Sequence, residues 1–183
     1  DSEEVLILSE WTDENPDEIL RKLKMGDEWY TIRKNNQQSI WGATQAGMLS
    51  EYLENQWVNM PPMDISDIAY DGFWINGKSA YELPETGGKK VKFRVINAGA
   101  SSYFYIHSST GSLTITGADG MPVTPVSVDR LLIGNGETYD IIVNIPLNGK
   151  YQLQAIAQDG SGSASVYLGR GELMPVPRIP SQI

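Results

Sequence analysis

The chain has 183 residues, a single histidine, no cysteine, and 14 basic against 23 acidic residues, for a formal net charge of -9. That surplus of negative charge repels phosphate backbones and anionic lipid surfaces alike, so neither nucleic acid nor membrane is expected as a partner. With 40% hydrophobic and 20% charged residues, the composition is that of a folded globular domain, and no apolar run approaches the ~20 residues a helix needs to span a bilayer.

The length suits one well-buried core with an elaboration. The lack of cysteine removes disulfides, thiolate ligands and a thiol nucleophile together, and is compatible with export and with the cytosol. No basic, apolar and cleavable leader opens the sequence. "DSEEVLILSEW" instead enters a strand-like run almost at once, as a chain cut from something longer would.

Residues 5 to 11, "VLILSEW", form a short apolar run of strand length, expected to be buried on both faces. A helix follows. Asn15 is placed to cap it, Pro16 suits its first position, Glu18 completes a capping-box-like pair, and Gly26 is placed to end it after Arg21, Lys22 and Lys24. Ile19, Leu20 and Leu23 make an apolar stripe that should lie on a larger body. Residues 27 to 60 are the least regular part; Met48, Leu49, Tyr52, Leu53 and Trp57 have the spacing of one amphipathic helix. The whole of about 14 to 60 reads as an insertion, closed by the proline pair of "MPPMDISD".

From residue 73 the period becomes two. In "KKVKFRVINAG", Val91, Phe93 and Val95 alternate with Lys90, Lys92 and Arg94, which makes a strand wet on one face. "SLTITGADG", "VDRLLIG", "TYDIIVNIP", "KYQLQAIAQ" and "SASVYLG" continue the pattern, with turn residues roughly every ten positions. Gly111, Gly117, Gly120, Gly134 and Gly136 read as turn glycines. Many short strands at that spacing predict an all-β sandwich or Greek-key barrel. Tyr151 in "LNGKY" is either a tyrosine corner, its hydroxyl bonded back to nearby backbone, or a buried core tyrosine. Residues 1 to 170 would be one domain, and 171 to 183, with "MPVPRIP", a proline-rich linker or an arm on a neighbour.

The donor atoms for chemistry are sparse. A type 1 copper site takes two imidazoles and a thiolate, and this chain has one imidazole and no thiolate. His107 closes a strand in "FYIHSSTG", no G-x-S-x-G elbow accompanies it, and a structural role is expected. Asp64 with Asp67, and Asp13 with Glu14, fit turn and capping positions better than an acid and base pair. Met60 and Met63 in "MPPM" stand close enough to share a soft ion, though an apolar loop contact is the simpler reading. Tyr70, Phe73 and Trp74 fit a core or interdomain contact. No catalytic and no metal-binding residue is assigned.

Asp129 and Arg130 in "VDRLL", and Glu137 and Asp140 in "GETYD", are expected to cap strand ends and pair at the sandwich rim; Asp119 and Gly120 in "GADG" and Tyr139 in "GETYD" belong to the same structural pattern. Together with "LSEWTDENPDEILRKLK", "DISDIAYDGFWINGK" and "KVKFRVINAGASSYFYIH", taken in the same order over about Leu8 to Gly169, they give a likeness. The chain resembles the second cupredoxin-like domain of three-domain multicopper oxidases of the copper-resistance type. The resemblance implies a Greek-key cupredoxin-like sandwich without copper of its own, with copper held in flanking cupredoxin domains of the same polypeptide. It implies a periplasmic or secreted parent enzyme that oxidises cuprous ion or phenols and reduces dioxygen to water, while this chain alone would not turn over; an apolar patch where its neighbours dock, open to self-association, is expected. The competing reading is a stand-alone binding or adhesion module with Trp29, Trp41 and Trp57 as a ligand patch. A third is copper delivery by Met25, Met48, Met60 and Met63.

Overall fold

The computed structural model describes residues 2–25, 30, 40–50, 53 and 68–177. The chain divides into two compact units: Asp1–Trp11 with Tyr70–Gln182 form one, and Thr12–Ala69, inserted between them in sequence, belongs to the other.

The first unit carries, in chain order, β1 (Ser2–Trp11), β2 (Gly72–Ile75), β3 (Ala80–Leu83), β4 (Lys90–Asn97), β5 (Phe104–Ser108), β6 (Leu113–Ala118), β7 (Met121–Val128), β8 (Arg130–Ile133), β9 (Thr138–Asn144), β10 (Gly149–Ala157), β11 (Ser163–Arg170) and β12 (Leu173–Met174). One sheet runs β2-β1-β4-β9-β6-β7 and the other β3-β11-β10-β5-β8, with β12 added beside β10. The all-β sandwich expectation holds.

The core follows from period-two alternation. In β4 each inward residue, Val91, Phe93 and Val95, is buried and faces Val143, Ile141 and Tyr139 of β9 in register. Phe104 and Ile106 of β5, with Leu153 and Ala155 of β10 and Val166 and Leu168 of β11, supply the other wall. Phe73 sets its ring edge-on to Phe104, and a Cβ on Gly162 would overlap the Phe73 ring.

Two expectations about the N-terminal segment are corrected. β1 is buried on one face, not both: Leu6 and Leu8 point inward while Val5 and Ile7 stay 45% and 43% exposed. The run "VLIL" has no polar outward positions, so its composition hides the alternation that the sheet imposes. In the second unit, α1 (Pro16–Met25) starts where expected: the Asn15 side chain accepts from the Asp17 amide at 2.9 Å, and its carbonyl takes the Glu18 and Ile19 amides. None of its residues is buried, however, and Leu20 and Leu23 of the stripe are exposed. Gly26 lies outside the described residues. α2 (Ile40–Gln45) was not anticipated, and buries only Ala43. Leu49, Ser50 and Leu53 are helical, while Tyr52 and Trp57 of the anticipated helix lie outside the description.

β7 was also missed as a strand, because Pro122 and Pro125 argue against ladder pairing. The structure places it at a sheet edge, the position where proline is tolerated. Gly117 is no turn glycine: it sits in β6 where the register shifts against β7 and β9, and a Cβ there would stand 3.1 Å from the Asp140 side chain.

Candidate functional site

The residues marked by the sequence gather mainly around one end of the sandwich, where β9 begins. Asp119 and Gly120 form the two-residue link between β6 and β7, both with positive φ, at 46° and 76°. That is the signature of a primed hairpin turn, and Asp-Gly is well suited to it. The turn is clamped to β9 by two bonds: Asp119 donates its amide to the Thr138 carbonyl at 2.8 Å and accepts the Thr138 amide on Oδ1 at 2.9 Å.

Glu137 closes the neighbouring turn. Its Oε2 accepts the Gly134 amide at 2.7 Å. Its carbonyl accepts the Asn97 amide at 3.1 Å, and the Asn97 carbonyl accepts the Gly136 amide at 2.9 Å. Tyr139 lies next along β9, half-buried against the core; burial first, then the nearby Glu137 and Asp119 carboxylates, push its hydroxyl above the ordinary tyrosine value. Asp140, on the outward face, takes the Lys92 ammonium at 2.6 Å.

Asp129 and Arg130 are not part of this group. Asp129 accepts the Ser112 hydroxyl at 3.0 Å. Arg130 stacks over the Tyr105 ring at 4.7 Å on the other sheet, opposite His107 in register.

His107 is 6% exposed, and its Nε2 meets the Gln154 Oε1 at 3.1 Å. Burial lowers its pKa below the usual value of 6.5; the Gln154 bond opposes that shift and the Arg130 charge adds to it. Gln154 in turn donates to Ser163, and Gln152 to Ser165. The histidine is one member of a satisfied cross-strand polar row.

Two residues carry more of the architecture than sequence reasoning allowed. Asn97 is fully buried; its amide nitrogen donates to the carbonyls of Ser102 and Ile133, and its Oδ1 accepts the Gly99 amide. Glu10 accepts the amides of Ser101 and Ser102. The signal in the sequence was an asparagine on the inward phase of the β4 alternation, two residues before a glycine. The carboxylates near the helix are also structural: Glu14 pairs with Lys22 and accepts the Tyr30 hydroxyl. Trp74 stacks on Trp11 at 5.7 Å.

Trp41 is 71% exposed, and Met25 and Met48 are exposed too. Trp29, Trp57, Met60, Met63, Asp64 and Asp67 lie outside the described residues. Among the described residues no three His, Cys, Asp or Glu side chains come together in a way that could hold a metal ion, and no helix is long and apolar enough to cross a membrane. The residues present do not fit a type 1 copper centre. The one imidazole of the chain already has its Nε2 committed to Gln154, a guanidinium stands nearby, and there is no thiolate.

This arrangement defines a structural class: a cupredoxin-like β-sandwich whose marked polar residues staple turns to strands. The multicopper oxidase family model matches residues 2–166, and the chain belongs to that family, as a cupredoxin-like domain of the copper-resistance type. It is 35% identical over 173 residues to copper resistance protein A of Escherichia coli, covering 90% of this chain and 28% of that protein. It is 31% identical over 182 residues to the multicopper oxidase MmcO of Mycobacterium tuberculosis, covering 96% of this chain and 33% of that protein. Among solved structures, Fet3p, a multicopper oxidase that functions in iron import, superposes with a TM-score of 0.63 at 15% identity, over 100% of this chain and 31% of that one. The laccase from Botrytis aclada gives 0.60 at 18% identity, over 97% and 32%. The chain thus spans about a third of the length of these relatives.

Proposed function

We propose that this chain is the second of three cupredoxin-like domains of a periplasmic or secreted multicopper oxidase, and that it serves there as a copper-free spacer. The observation that carries the reading is the donor set: family membership over nearly the whole chain, together with one buried, hydrogen-bonded imidazole and no cysteine. The polar residues that stand out in the sequence hold turns, which is what a rigid spacer needs.

Copper would then reside in the neighbouring domains, and the parent enzyme would couple oxidation of cuprous ion or phenols to reduction of dioxygen to water. The surfaces its neighbours would cover are the ones that could let this chain self-associate when alone. Calorimetric titration of the purified chain with cupric and then cuprous ion tests the spacer assignment. No stoichiometric uptake and no oxidation of a phenolic substrate is the expected result; a tightly held equivalent of copper with turnover would refute it. The competing adhesion-module reading predicts a reading frame that lacks H-x-H and H-C-H segments on either side.

A further inference from the structure

We propose that Asn148 is a site of spontaneous deamidation, and that its isoaspartyl product undoes the turn leading into β10. The chemistry is attack by a backbone nitrogen on the preceding side-chain amide. The nitrogen of the following residue bonds to the asparagine Cγ, the Cγ–Nδ2 bond breaks, and ammonia leaves with the proton that the backbone nitrogen gives up. Water then opens the cyclic imide on either side, which yields aspartate or isoaspartate. Water is consumed and ammonia released, with no oxidant, metal or enzyme required. Glycine is the most permissive following residue, because without a Cβ little shields its nitrogen from close approach.

The sequence has three Asn-Gly steps, at Asn76, Asn135 and Asn148, and the fold treats them differently. Asn76 reaches across to β1: its Oδ1 accepts the Ile7 amide at 2.8 Å, and its Nδ2 donates to the Val5 carbonyl at 2.8 Å and the Tyr81 hydroxyl at 3.2 Å. Asn135 donates its Nδ2 to the carbonyls of Gly99 at 2.9 Å and Ser102 at 3.4 Å. Turning either side chain toward its own backbone breaks those bonds. Asn148, in the link between β9 and β10, is exposed, and its side-chain amide has no hydrogen-bond partner among the described residues. Two bonds of ordinary strength hold a side chain back by at least about tenfold, so the folded chain should lose ammonia first at Asn148.

The consequence lies in the main chain. The Asn148 carbonyl accepts the Tyr151 hydroxyl at 2.9 Å. Gly149 has φ of +108°, and the Tyr151 hydroxyl lies 3.1 Å from where a Cβ on Gly149 would stand. In isoaspartate the peptide link runs through the former side chain, so that carbonyl becomes a free carboxylate beside a backbone lengthened by a methylene. The bond that pins the entry to β10 is lost. Plain aspartate keeps the main chain as it is and adds only a charge.

Peptide mapping by mass spectrometry, on the purified chain held in mildly alkaline buffer, tests the assignment. In the folded chain Asn148 should convert at least about tenfold faster than Asn76 and Asn135. In denaturant, where the three steps share the same chemistry and no fold protects them, the rates should converge. Equal rates at the three steps in the folded chain, or an Asn148 that reacts only in denaturant, would overturn the site. The aged chain should also show a lower denaturant midpoint than both the fresh chain and the Asn148→Asp variant, which carries the charge without the added backbone atom. An aged chain as stable as that variant would overturn the loss of the turn.

Discussion

The side-chain amide of Asn97, at the end of β4, donates to the carbonyl of Ile133, at the end of β8, at 3.3 Å, so one buried residue ties the two sheets together. The same nitrogen holds the Ser102 carbonyl, and the oxygen holds the Gly99 amide. Asn97→Ala removes the acceptor of the Gly99 amide and one donor from each of the Ile133 and Ser102 carbonyls, the latter keeping a 3.4 Å bond from the Asn135 side-chain amide; each lost bond costs ~1–3 kcal/mol before relaxation. A net loss of about 3 kcal/mol is expected, which lowers the Tm by roughly 6–12 °C for a domain of this size. Thermal unfolding followed by circular dichroism measures it.

Gly169 and Gly136 both have φ of +77°, but only Gly169 is crowded: a Cβ there would lie 2.7 Å from the Gly149 carbonyl oxygen, whereas at Gly136 nothing lies within 4 Å. Gly136→Ala therefore costs only backbone strain, about 1 kcal/mol. Gly169→Ala adds a collision with backbone that cannot move aside, and should cost at least about twice as much. Denaturant midpoints of the two variants, measured side by side, check the difference.

Acid should destabilise the sandwich through His107. Its pKa in the folded state is depressed below 6.5, chiefly by burial, so the unfolded chain binds the proton more readily. Stability from this group is fully present above 6.5 and declines as pH falls from there toward the folded value. The Tm should drop between neutral pH and about pH 5, and His107→Gln, which cannot titrate, should show a smaller drop over that window. Equal slopes for the two proteins would remove the histidine from the explanation.

Among the described residues after β11, Leu173, Met174 and Val176 are docked on β10. β12 pairs in parallel with Lys150 and Tyr151, and the Val176 amide donates to the Gln152 Oε1 at 3.2 Å. Amide exchange at Val176 should be slower than in an unstructured peptide, and Gln152→Ala should raise it roughly tenfold while the β10–β11 ladder is unchanged. The expectation of a proline-rich linker from residue 171 thus gives way, at least for Leu173 and Met174, to a strand.

Tyr151 donates its hydroxyl to the Asn148 carbonyl at 2.9 Å, three residues upstream. This is the tyrosine-corner geometry, one of the two readings left open by the sequence. Tyr151→Phe should cost about 1 kcal/mol, read from the denaturant midpoint, with little change in the far-UV spectrum.

Period-two alternation and turn chemistry determined most of the sandwich from sequence alone, because both are local properties. Lys and Arg interleaved with Val and Phe mark β4, and Asp-Gly marks the hairpin between β6 and β7. The scarcity of histidine and cysteine likewise settled, without coordinates, that no type 1 copper centre could be built. Tertiary structure alone decided that Val5 and Ile7 face outward, that proline-bearing residues 121–128 form an edge strand, and that Asn97 joins two sheets. Those outcomes depend on which strands become neighbours, and burial or a hydrogen bond across sheets is a property of the pair, which no single stretch of sequence encodes.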